Sequence, residues 1–317
     1  MDILLTGATG FVGRALLARL LDDEYQVTAA VRDTSTSIDT RAISAHVQGL
    51  SADTQWASAL AGQQVVIHSA ARVHVMDDTA SDPLQAFRQV NTEGTLALAR
   101  QAALAGVKRF IFISSIKVNG EGTALGRPYT AFDKPAPQDP YGISKFEAEE
   151  GLKALGVETG MEVVIIRPVL VYGPGVKANF QSMMNWMNKG VPLPLGAINN
   201  KRSMVALDNL VDLIVTCVDH PAAANQTFLV SDGEDLSTTE LLKRTARALG
   251  KAPRLLPVPA GLLELGAGML GKRAVAQRLC GSLQVDIRHT CETLDWQPPV
   301  SVDDALKKTA DAFLAGR

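Results

Sequence analysis

The chain has 317 residues, 46% of them hydrophobic and 20% charged, with 31 basic side chains against 33 acidic ones for a net charge of −2. This is the balance of a soluble globular protein long enough to bury its own core, and it gives no electrostatic reason to expect a nucleic-acid or membrane partner. Cys217, Cys280 and Cys291 stand far apart with no C-x-x-C pair, which argues against a zinc knuckle or a disulfide framework and fits reduced thiols in the cytoplasm.

In chain order, Asp2-Ile-Leu-Leu reads as a strand that runs straight into a glycine turn, leaving no room for a secretory leader. The turn is Thr6-Gly-Ala-Thr-Gly-Phe-Val-Gly13, followed by a helical pattern from Val12 to Leu21. Gly7 allows a tight turn, Gly10 lets the backbone approach a pyrophosphate, and Gly13 lets the helix sit close to the sheet. Free N–H groups and the positive end of the helix dipole make that spot an anion site, so a dinucleotide is the expected ligand. The second strand, Gln26 to Val31, ends in Arg32-Asp33. Arginine suits a 2′-phosphate and an acid suits free ribose hydroxyls; with Arg32 first, NADP(H) is favoured over NAD(H).

Val65-Val-Ile, Phe110 to Ile113 and Val163 to Ile166 are further apolar runs, continuous enough to be buried on both faces. Helical patterns from Leu84 to Leu104 and from Tyr141 to Leu155 separate them. The alternation predicts an α/β protein with a doubly wound parallel Rossmann sheet over residues 1–168. Beyond Pro168 strands become sparse, and residues 169–317 read as a smaller, mostly helical substrate lobe that lends segments back to the first domain. Within it, Ser237-x-x-Glu240 marks a helix start by the capping-box pattern. The longest candidate loop runs from Asn119 to Pro140, and loops of that length are usually functional.

Two segments carry candidate chemistry. The strand Phe110-Ile-Phe-Ile ends in Ser114-Ser115, where open α/β sheets place their ligands. Tyr141-Gly-Ile-Ser-Lys145 puts a phenol and an ammonium on one helix face. A neighbouring cation should draw the tyrosine pKa down from ~10, making Tyr141 a proton carrier for a sugar hydroxyl, with Ser115 orienting the reacting oxygen.

On these residues, together with Ile67-His-Ser-Ala-Ala71, Asn91-Thr-Glu-Gly-Thr95, Arg167-Pro168, Asn179, Arg202 and Val205 to Asp212, the chain resembles the extended short-chain dehydrogenase/reductase family, in its nucleotide-sugar epimerase, dehydratase and ketoreductase branch. The resemblance implies Ser115, Tyr141 and Lys145 as the catalytic set. It implies Gly7, Gly10, Phe11, Val12, Gly13, Arg32, Ala70, Ala71, Asn91 and Val169 as the cofactor-binding set, with Asn179 and Arg202 on the substrate's nucleotide diphosphate. It also implies a homodimer through Leu84–Leu104 and the helix from Tyr141. Three positions depart from the family. Dehydratases carry Asp-Glu where this chain has Ile116-Lys117, which speaks against 4,6-dehydration. The Tyr-Gly of epimerases becomes Asn119-Gly120, and the Gly-Asp that holds adenine becomes Gly49-Leu50.

Arg32 and Asn119 together favour net reduction of a UDP-4-keto-6-deoxy-N-acetylhexosamine, for cell-surface polysaccharide synthesis. The alternative is a UDP-hexose 4-epimerase with tightly held NAD; a third reading, of another class, is a catalytically inactive dinucleotide-sensing regulator. No metal is expected, since His46, His68, His74, His220 and His289 lack ligand spacing. His68 reads as a satisfied structural residue, and Met183, Met184, Trp186 and Met187 read as core.

Overall fold

The computed structural model describes residues 1–33, 37–73, 82–269, 271 and 273–316. Its strands are β1 (Asp2–Thr6), β2 (Gln26–Val31), β3 (Ile43–His46), β4 (Val65–His68), β5 (Arg109–Ile113), β6 (Glu162–Pro168), β7 (Leu170–Tyr172), β8 (Met204–Ala206) and β9 (Thr227–Val230). Seven of them form one parallel sheet in the order β3-β2-β1-β4-β5-β6-β9, and β7 pairs with β8 separately. The five expected strands are all present. Two further sheet strands, β3 and β9, sit at the edges.

The sheet is wound outward in both directions from β1 and β4, so the chain reverses direction between them. A crevice opens there at the carboxyl ends of the strands. Register places Thr6 beside both Ala30 and His68, and the ends of β1 and β4 therefore meet at the crevice. β1, β4 and β5 are buried along nearly their whole length because helices cover both faces. Helices Phe11–Asp22 and Leu207–Asp219 pack on one face, where Leu16, Leu20, Leu210 and Ile214 meet Ile3, Leu5 and Ile67. On the other face, Leu98 and Ala102 of helix Thr95–Leu104 and Ala148 and Leu152 of helix Pro140–Thr159 meet Leu4, Val66 and Phe110.

Three stretches from beyond residue 168 thus return to the sheet: helix Leu207–Asp219, edge strand β9, and residues 283–296 with Leu283, Val285, Leu294 and Trp296. A separate core in that half is built from Tyr172, Phe180, Met184, Ile198, Leu242 and Leu306. Ser237 and Glu240 make the expected reciprocal cap. Between Leu84 and Leu104 the helix is not uniform: a π-helical turn, Arg88–Gly94, interrupts it. Such a turn inserts one extra residue and re-aims side chains, often at functional sites. Here Thr92 is brought to the Ser144 carbonyl, its Oγ1 donating at 2.9 Å.

Candidate active site

The glycine turn closes the end of β1. Gly7 holds φ +75°, and a Cβ there would lie 2.7 Å from the Ala70 nitrogen, so glycine is required on both counts. A Cβ on Gly13 would fall 2.0 Å from the Gly7 carbonyl oxygen, which forces glycine wherever the helix start is packed this closely. At Gly10, by contrast, a Cβ would meet only that same carbonyl, at 3.2 Å. The space over the helix start is therefore open, and the first-turn amides around the half-buried Phe11 and Val12 face it without a side-chain cap. That is the donor set a dinucleotide pyrophosphate needs.

Ala70 and Ala71 are half-buried at the end of β4, and Val169 is buried at the end of β6. Asn91 lies behind them, not among them. Its Oδ1 accepts from the Arg72 backbone at 2.8 Å, while Nδ2 donates to the Arg72 carbonyl at 3.0 Å and to Ser144 Oγ at 3.1 Å. The amide is spent pinning the Ala70–Arg72 segment to the catalytic helix. Arg32 is exposed past the end of β2.

The Ser115 hydroxyl lies close enough to the Tyr141 phenol to favour its ionised form. Ser115 also caps the short turn Ile116–Val118, with its Oγ accepting from the Lys117 amide. Tyr141 sits in the first turn of helix Pro140–Thr159, set by Asp139, whose carboxylate caps the helix at Gly142 N, 2.6 Å away. Lys145, one turn on, is buried. Its Nζ donates to the Ile113 carbonyl at 2.7 Å and lies 4.3 Å from the centre of the Phe112 ring.

The expected electrostatics differ here. Burial first, and the Asp139 charge second, push Tyr141 up to about 12, with only the Ser115 hydrogen bond opposing them. Burial brings Lys145 down to about 7, against the pull of Glu149. Lys145 therefore does not supply the downward shift expected of it: its ammonium is turned onto the end of β5, and its own charge is costly in so dry a place.

Residues 3–231 match the model of the NAD dependent epimerase/dehydratase family. The chain belongs to that family. It is an enzyme family of the extended short-chain dehydrogenase/reductase type, as the sequence implied. Among its relatives is a UDP-glucose 4-epimerase of Vibrio cholerae, 54% identical over 99% of this chain and 95% of its own length. Similar solved structures include UDP-glucose 4-epimerase with UDP-glucose from Thermotoga maritima (23% identity, TM-score 0.78, 100% of this chain and 99% of that one). Another is UDP-glucuronic acid 4-epimerase with NAD from Bacillus cereus (20% identity, TM-score 0.79, 99% of each chain). At those identities the structures speak for the fold.

Behind the epimerase-family triad lies a buried ionic network that sequence reasoning missed. Glu149 accepts from Ser114 Oγ at 2.5 Å and from Arg167 Nε at 2.9 Å through Oε1, and from Arg167 Nη2 at 2.5 Å through Oε2. Arg167 Nη1 continues to Asn119 Oδ1 at 2.9 Å, and Asn119 Nδ2 donates to the Thr130 carbonyl at 3.1 Å. Asn119, which departs from the epimerase pattern, is thus a buried tether for the 119–140 loop. The available signal was spacing: Glu149 follows Lys145 by four residues, on the same helix face. Lys117, in the dehydratase acid position, pairs with Asp139 and Glu121.

In the second lobe Arg202 is half-buried, and its Nη1 donates to the carbonyls of Arg278 and Gly281 at 3.1 and 3.2 Å. No carboxylate pairs with it among the described residues, which leaves it suited to an anionic ligand. Asn179 is exposed in the first turn of helix Ala178–Asn188, where Met184 and Met187 are core but Trp186 is half exposed. No cluster of metal-ligating side chains occurs among the described residues; His74 lies outside them.

His68 is wholly buried, with Nδ1 2.7 Å from Thr6 Oγ1 and Nε2 2.9 Å from Thr95 Oγ1. Burial, then the nearby Lys145 charge, lower it to about 3. A group held neutral in the fold that charges when unfolded contributes stability present above its unfolded pKa, ~6.5, and lost as pH falls toward 3. At ~1.4 kcal/mol per pH unit, this loss reaches ~3 kcal/mol at pH 4. Urea unfolding of wild type and His68→Gln between pH 7 and 4 should show the wild type falling more steeply by that amount. Parallel curves would assign the acid sensitivity to other groups.

Proposed function

We propose that this enzyme is a UDP-hexose 4-epimerase that keeps NAD bound throughout its cycle. The observation that carries the reading is its likeness, along nearly the whole chain, to a UDP-glucose 4-epimerase. Net reduction of a 4-keto sugar by NADPH rested on Asn119 and Arg32. Asn119 is a structural tether here, and Arg32 is followed at once by Asp33, the residue type that reads unphosphorylated ribose.

Gly7, Gly10 and Gly13 with the first-turn amides would hold the pyrophosphate, and Ala70, Ala71 and Val169 would flank the rest of the cofactor. When bound, oxidised NAD supplies a reversible hydride acceptor and a positive charge beside the triad. The chain's own residues move the proton. Ser115 donates to the C4 oxygen of the sugar and holds it at the phenol. Tyr141 removes the hydroxyl proton as the C4 carbon is oxidised and returns one as it is reduced. Epimerisation needs the 4-keto sugar to turn over between these events, and Arg202 and Asn179 would keep its nucleotide diphosphate bound meanwhile. Dehydration would require an acid and base beside Ser115, where this chain has a buried Ile116 and a Lys117 that ties up Asp139 and Glu121.

The helices that relatives would use for a homodimer expose Leu104 and Val157, and we include that dimer in the proposal. The deciding experiment is to incubate purified enzyme with UDP-glucose or UDP-N-acetylglucosamine and no added cofactor. Formation of the C4 epimer, with NAD released on denaturation, is the expected result. Steady oxidation of added NADPH by a UDP-4-keto sugar, without epimerisation, would return the assignment to a ketoreductase.

A further inference from the structure

We propose that the helical hairpin formed by Ala260–Met269 and Arg273–Cys280 docks this protein on an anionic phospholipid surface. The hairpin rests on the lobe's core through Ala260, Leu263 and Cys280 and leaves its outer face open, with no residue of its first helix fully buried. Leu262, Leu265 and Met269 are 60%, 63% and 77% exposed, and Val275 on the second helix is 50% exposed. Between the two helices and Pro194-Leu195 lies a cavity of about 380 Å³, its walls almost entirely apolar, including Leu263, Ala267, Ala276 and Cys280. Isolated exposed leucines are ordinary, but a contiguous aliphatic face of this kind marks a binding surface.

Charge decides what covers it. Arg273 and Arg278 are exposed on the hairpin, and Lys251 and Arg254 in the segment that leads into it, against a single acid on the hairpin, Glu264. None of the four pairs with a carboxylate among the described residues, so their charge is open to a ligand. The near-neutral total hides this local excess. A second copy laid on the same face would bring the cations together. The hairpin sequence also lacks any aromatic residue, the usual anchor of a protein–protein hot spot. Exposed aliphatic side chains with exposed cations on and just before the same hairpin suit the boundary between lipid headgroups and hydrocarbon. At ten and eight residues the helices would lie in that boundary without crossing it. The second helix ends on the carbonyls that receive Arg202, so docking would hold the substrate lobe next to the membrane surface.

Co-sedimentation of the full chain with vesicles tests this, using phosphatidylcholine alone and phosphatidylcholine with phosphatidylglycerol. Binding to the anionic vesicles is expected, falling ~5-fold for each basic residue neutralised, as in Arg254→Gln and Arg273→Gln. It should vanish in Leu265→Glu/Met269→Glu, whose fold and turnover of soluble substrate stay unchanged because both positions are exposed and outside the active site. Absence of binding to either vesicle, equal binding to both, or loss of a solution oligomer in Leu265→Glu/Met269→Glu would overturn the proposal, the last by making the face a contact between copies.

Discussion

Replacing Tyr141 by phenylalanine should leave the fold and the bound cofactor in place and, on the proposed epimerase reading, lower turnover by ~100-fold or more, the scale of a lost general acid–base group. The ring is held on one side by an edge contact with Phe87, 6.0 Å between centroids, and phenylalanine preserves it. Among the described residues the phenol oxygen interacts with the Ser115 hydroxyl alone, so the thermal midpoint should scarcely move. Turnover falls because the phenol is the group placed to carry the proton, with the neighbouring Lys145 committed to the Ile113 carbonyl. With Tyr141 at about 12 in the free chain, the active phenolate must be generated by the charge that arrives with oxidised cofactor. The pH profile of the cofactor-loaded wild type should therefore show a base well below 12, absent from the variant. Single-turnover rates and cofactor content measured on the same samples check both halves. A variant that keeps its cofactor and most of its turnover would remove Tyr141 from the proton path.

Much of this site was legible because its parts obey short-range rules. Gly7, Gly10 and Gly13 follow a strand and open a helix, and the close approaches that a Cβ would make at Gly7 and Gly13 are what the glycine spacing implies. Ser115 at a strand end, and Tyr141 and Lys145 four residues apart on one helix, are patterns that local sequence can show. What was hidden depends on contacts distant in sequence or on weak local signals. β3 is four residues at a sheet edge, mostly exposed, and so lacks the apolar run that marks an inner strand. β9 does have such a run, Thr227-Phe-Leu-Val, but it stands among helices, and only the tertiary pairing with β6 shows it to be sheet. The π-helical turn at Arg88–Gly94 leaves no periodicity to read. Asn119 seemed a mark of reaction type because its partner, Arg167, lies 48 positions on. The direction of the Tyr141 shift was misjudged for a related reason: helix spacing gives proximity to Lys145 but not the burial around both groups.

The largest stability effect should come from breaking the Glu149–Arg167 pair. Both side chains are almost completely excluded from water, at 0% and 2% exposure, and Glu149 accepts three hydrogen bonds while Arg167 donates three. Arg167→Met leaves the Glu149 carboxylate buried with only the Ser114 hydroxyl, and Glu149→Gln leaves a buried guanidinium short of its counter-charge. Removal of one partner from such a pair costs ~3–5 kcal/mol, because the remaining charge has no water to turn to. Removing both is a different matter: Glu149→Gln/Arg167→Met strands no charge, and its cost should be well below the sum of the two single changes. Urea unfolding of the two single variants and the double variant closes that cycle. Costs that simply add would mean that the ions do not depend on one another, whatever their distance. The same set separates stability from catalysis. Glu149 is the group that holds Lys145 up against the pull of burial, so Glu149→Gln should drop the lysine further below about 7 and move the pH profile of turnover. Arg167→Met keeps the carboxylate and should leave the profile nearly in place while sharing the loss of stability.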